Sequence, residues 1–197
     1  MIKIAFFVFT IFLSLDAMTQ DTNPNYFEQI PDAPESYTEF TTMARLVDGL
    51  GFRYYWATEG LRDEDLSYKP SESGRTTREV LEHIYSLSRT TSLTVQGETI
   101  SRTTDQTDMD FETLRNETLA FLQIASERLR SENDRSMDDL KIKFQRGENV
   151  SEFPFWNMIN GPIADAIWHC GQIVSNRRAS GNPFNSNVSV FSGKKRS

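Results

Sequence analysis

The chain has 197 residues, 38% of them hydrophobic and 25% charged, with a formal net charge of −7. Seven prolines and ten glycines are too few for a disordered or fibrous chain, and the balance fits one domain with a sizeable core. The acidic charge repels phosphate backbones, so nucleic acid is excluded as an expected partner.

The first residues carry Lys3, an apolar run over residues 4–15, and small residues Ala17 and Thr19 ahead of Gln20. The run has the length of a secretory h-region and is too short for a comfortable membrane span. Residues 1–19 are expected to be a signal peptide of a bacterial exported protein, periplasmic in destination and without a stable membrane span after cleavage. Cleavage removes Lys3 and Asp16, one charge of each sign, and leaves the net charge at −7. The single cysteine, Cys170, has no partner for an internal disulfide. On the apolar face of its helix it reads as a small buried hydrophobe.

Residues 20–35 contain three prolines and read as an extended leader. A first helix is expected over residues 36–59, with Phe40, Ala44, Val47, Leu50 and Tyr54 at helical spacing and Gly49 and Gly51 weakening it locally. Residues 63–74 read as a loop, broken by Pro70 and Gly74. A second helix opens with a capping box from Thr76 to Glu79 and runs to Gln96. A third covers residues 110–132, with Phe111, Leu114, Thr118, Phe121, Leu122, Ala125 and Leu129 facing inward. Leu140 to Phe144 alternate, as a brief strand or an extended crossover would. A fourth helix is expected over residues 154–180, with Pro154 in its first turn and Gly181-Asn182-Pro183 as its stop. Residues 184–197 read as a solvated, flexible C-terminal tail. Four amphipathic helices with two longer connections predict an all-α four-helix bundle over residues 36–183.

Both histidines of the chain fall on the flanks of helical stripes. At about 100° per residue, His169 lies roughly 100° from the apolar centre at Ile163 and Cys170, and Asp165 about 40° further out. His83 lies about 90° from the stripe of Val80, Ile84 and Leu87. Two imidazoles and a carboxylate from two helices are a recognised ligand set for a divalent metal, with Asp165 and His169 placed i, i+4. The same spacing also occurs in ordinary surface pairs. Glu79, one turn before His83, either orients it, serves as a base or closes the capping box. Trp56, Trp156 and Trp168 read as core or cavity wall.

The stretches "TTREVLEHIYSLSR" and "FPFWNMINGPIADAIWHCGQIVSNRRASGNP" resemble the DinB-like (DinB/YfiT) superfamily. The resemblance rests on His83 in the second helix and on His169-Cys170-Gly171-Gln172-Ile173, followed by Arg177 and Arg178, in the last. It implies a four-helix bundle with up-down-down-up connectivity, a homodimer, and a divalent metal held by one residue of the second helix and two of the last. Carried over, the ligands are His83, Asp165 and His169, with Asp165 where the family commonly has histidine. The ion would be zinc, nickel, manganese or iron. Some relatives in that superfamily are thiol-dependent transferases or isomerases, which implies a metal-dependent hydrolase or transferase acting on an unknown small molecule. The alternatives are a non-catalytic metal or small-ligand binding module and a structural bundle whose metal site is lost.

Overall fold

The computed structural model describes residues 22–101, 109–132 and 135–196. The expected signal peptide lies outside these residues. The chain is mostly helical, with a small sheet: α1 (Glu39–Thr58), α2 (Asp63–Ser67), α3 (Thr77–Gln96), β1 (Thr99–Ser101), α4 (Phe111–Arg130), β2 (Lys141–Arg146), β3 (Asn149–Pro154), α5 (Ala164–Ala179), β4 (Val188–Ser189) and β5 (Lys194–Lys195).

The long helices form where apolar stripes and caps coincide. Thr38 caps α1, Thr76 caps α3 through the reciprocal box with Glu79, and Asp110 caps α4 by accepting from the Thr113 amide at 2.7 Å. The stripe residues Phe40, Ala44, Val47, Leu50 and Tyr54 of α1 are buried, as are Val80, Leu81 and Ile84 of α3, Leu114 and Leu122 of α4, and Ile173 of α5. α1 packs on α4 and α5, and α3 packs on the same two. Polar contacts give their directions. α1 and α4 run antiparallel, since Thr58 meets Arg115 while Asp48 meets Ser126. α3 and α4 run parallel, with Arg78 on the Met109 carbonyl and Tyr85 on Glu117. α3 and α5 run antiparallel, joined by Thr77–Asn176 at one end and His83–Asp165 further along.

Three expectations are corrected. The chain is not wholly α: β1 pairs parallel with β2, and β2 pairs antiparallel with β3, so the alternating Leu140–Phe144 piece is a strand of a three-stranded sheet. Pro154 does not start the fourth helix but ends β3. A wide turn over Ile159–Ile163, kinked at Gly161, then leads into α5. Pro162 lacks an N–H and disfavours α geometry at the residue before it, which breaks the helix there. The loop after α1 begins with the short helix α2.

The leader and the tail also differ from their expected form. Phe27 and Ile30 of the leader are buried. A Cβ at Gly51 would stand 2.5 Å from the Phe27 ring, so this glycine is the seat of that ring in α1. Residues of the tail pair as the β4–β5 hairpin, whose Gly193 carbonyl accepts from the Ile30 amide at 2.8 Å. Lys195 lies over the Trp56 ring at 5.9 Å. The two ends of the described chain thus meet on α1.

Candidate metal centre

His83 sits in the middle of α3, one residue before the fully buried Ile84, and therefore faces the side of the helix toward α5. Asp165 is in the first turn of α5, where the helix dipole favours negative charge, and His169 follows one turn later. The buried Thr77–Asn176 bond, 3.1 Å, fixes the register of the two helices. In that register His83 Nε2 lies 3.1 Å from Asp165 Oδ2, and His169 Nε2 lies 3.3 Å from Asp165 Oδ1. The imidazole rings meet edge to face with centroids 4.7 Å apart. One ligand atom from each of the three residues lies within 4.8 Å of the others, so the group can hold a metal ion.

The second ring nitrogen of His169 is also fixed. Nδ1 lies 2.7 Å from Gln172 Oε1. An amide oxygen only accepts, so Nδ1 carries the hydrogen and donates it. In the neutral ring Nε2 is then an acceptor that faces a carboxylate oxygen. That leaves Nε2 facing the carboxylate with its lone pair, the arrangement a metal ligand needs. Two imidazole nitrogens and a carboxylate oxygen are donors that zinc, nickel, manganese and iron all accept, so the residues present fit such an ion.

The three side chains are half-buried at one wall of a cleft of about 930 Å³. Arg75 and Gly74, from the loop before α3, and Trp168, Gln172 and Ser175 of α5 complete much of its lining. Trp168 is 71% exposed and stacks on His169 with the two planes 17° apart. It is cavity wall, whereas Trp56 is core. Trp156 is neither: it is 73% exposed and does not line this cleft.

The other singled-out residues are placed elsewhere. Glu79 accepts from the Thr76 amide at 2.7 Å and from the Thr76 hydroxyl at 3.1 Å, so its carboxylate serves the cap of α3. Cys170 points into the core, and burial pushes its thiol up to about 12. Arg177 is buried and donates to the carbonyls of Trp56 and Ala57, where α1 ends, and to Asn182. It closes a helix end rather than serving the site. Sequence reasoning missed Arg75, Ser175 and Asn176. The signal was present for Asn176, which lies seven residues after His169 on the same flank.

No family model, curated protein or solved structure matches the chain.

Proposed function

We propose that this is an exported DinB-like metalloprotein that holds one divalent ion through His83, Asp165 and His169. The fold reading is an up-down-down-up four-helix bundle, supported by the antiparallel α1–α4 and α3–α5 pairs and the parallel α3–α4 pair. The observation that carries the metal reading is the convergence of one ligand atom each from His83, Asp165 and His169 within 4.8 Å of one another, beside the Nδ1–Gln172 bond. Zinc, nickel, manganese and iron are the candidate ions. When bound there, the ion supplies a Lewis acid with about one net positive charge after Asp165 is counted. His83 and His169 hold it from two helices, and Gln172 fixes the tautomer. The cleft admits a small molecule to that point, and the activity is hydrolytic or a group transfer.

Metal content measured by plasma mass spectrometry, on protein purified without a histidine tag, tests the reading. One divalent ion per chain is expected, and none in the His83→Ala/His169→Ala double variant. A second reading follows from the same contacts, since both histidines pair with Asp165 without an ion. No metal in the wild-type chain after incubation with zinc, nickel and manganese would establish that metal-free triad and sink the metalloprotein reading.

A further inference from the structure

The chain as a whole repels anions, and its cleft does not follow that rule. Apart from the two histidines, the charged side chains lining it are Arg75 and Asp165. They cancel in the metal-free protein. With a divalent ion in place, the lining carries a net charge of about +2, inside a protein of net charge −7. Such a local reversal of sign concentrates small anions at the cleft and disfavours cations.

Arg75 is the fixed part of that charge. It is exposed and directly precedes Thr76, the cap of α3. Among the described residues its guanidinium has no hydrogen bond or ion-pair partner. Glu79, the acid nearest in sequence, is already held by Thr76. Arg78, by contrast, is engaged by Glu82 and the Met109 carbonyl. Arg75 thus keeps its planar fork free at the cleft, suited to two parallel hydrogen bonds with a carboxylate. In the same lining, Trp168 offers an exposed indole next to the histidine it stacks on. An indole face pairs with planar or apolar groups. The volume, about 930 Å³, is at the upper end for a small-molecule site.

We propose that the cleft binds a small organic carboxylate, with its anionic group on Arg75 and a planar or apolar body along Trp168 toward the His83–Asp165–His169 centre. The proposal rests on the metal reading above, because the net positive charge of the lining comes from the ion.

Calorimetric titration of the zinc-loaded full chain tests it, with benzoate, neutral benzamide and acetate as probes. Zinc content is measured on every sample. Benzoate is expected to bind at least tenfold more tightly than benzamide, and to lose that advantage when zinc is removed. Arg75→Ala is expected to weaken benzoate at least tenfold with one zinc still bound, and Arg75→Lys to restore part of the loss. Trp168→Ala is expected to weaken benzoate and leave acetate unchanged. Equal binding of benzoate to wild type and Arg75→Ala, at full zinc content, would overturn the proposal and leave the metal reading intact. Loss of zinc from Arg75→Ala would also overturn it, by placing Arg75 in service of the ion. A wild-type chain that retains no zinc, nickel or manganese removes the metal reading, and this inference with it.

Discussion

His169 is the side chain on which the site turns, because both of its nitrogens are engaged. Gln172 would act on a bound metal only through that ring. Removing the partner of a ligand's remote N–H typically costs 10–100-fold in metal affinity. Gln172→Ala is therefore expected to weaken zinc binding by about that factor with an unchanged melting temperature of the apo protein. Competition with a chromophoric chelator measures the first, and a thermal melt the second. Affinity within twofold of wild type would remove Gln172 from the site. A different acid governs stability. Burial of Asp65 opposes its charge, but hydrogen bonds from Arg62, Ser180 and Asn182, together with the Arg62 amide, outweigh it and hold its carboxyl well below the usual range. A depressed pKa in the folded state stabilises the fold above the unfolded value of about 3.9, and the contribution is lost as pH falls below it. Asp65→Asn is expected to cost about 2–4 kcal/mol near neutrality, since it leaves a buried hydrogen-bonded cluster without its charge. The gap to wild type should stay constant from pH 7 to about 5 and narrow toward pH 3. A gap that does not depend on pH would mean that shape, not charge, is what Asp65 supplies.

Along α1 a glycine that weakens a helix by propensity turns out to be required by packing. The Phe27 ring occupies the space where a Cβ at Gly51 would stand. Gly51→Ala gains helix propensity but forces a buried ring to move, and overpacking of that kind costs about 1–3 kcal/mol. Urea unfolding of Gly51→Ala, Phe27→Ala and the double variant forms a cycle that isolates the contact. The cost of Gly51→Ala is expected to vanish or reverse in the Phe27→Ala background. Equal cost in both backgrounds would mean that the leader does not dock there. The sequence could not place this contact, because one aromatic in a proline-rich leader has no period to read. The helical stripes of α1, α3 and α4 were legible for the opposite reason, since each repeats over five turns. The start of the fourth helix was misread at Pro154. Proline suits a first helical turn and also the end of an edge strand, and only pairing of Phe153 with Ile142 decides between them. The break itself lies at Gly161-Pro162.

For the whole molecule, the decisive fact is that His83 and Asp165 are separated by 82 positions yet meet at 3.1 Å. Each residue's flank position could be derived at 100° per residue. Their adjacency could not, because nothing local says that α3 and α5 are neighbours. A metal held by both helices is a ligand of the folded chain alone, since the unfolded chain cannot bring the three groups together at comparable affinity. Its binding energy therefore adds to folding stability. At a free-ion concentration a hundred times the dissociation constant the gain is about 2.7 kcal/mol. For a chain of this size each kcal/mol moves the melting temperature by about 2–4 °C. Zinc at that excess is expected to raise the melting temperature by roughly 5–11 °C, chelation to reverse the rise, and His83→Ala to abolish most of it. Asp165 and His169 lie on one helix, so a rise that survives in His83→Ala would show that α5 alone captures the ion. The cleft between α3 and α5 would then have no part in holding the metal, and a scan of His83→Ala with and without zinc separates the two outcomes in one experiment.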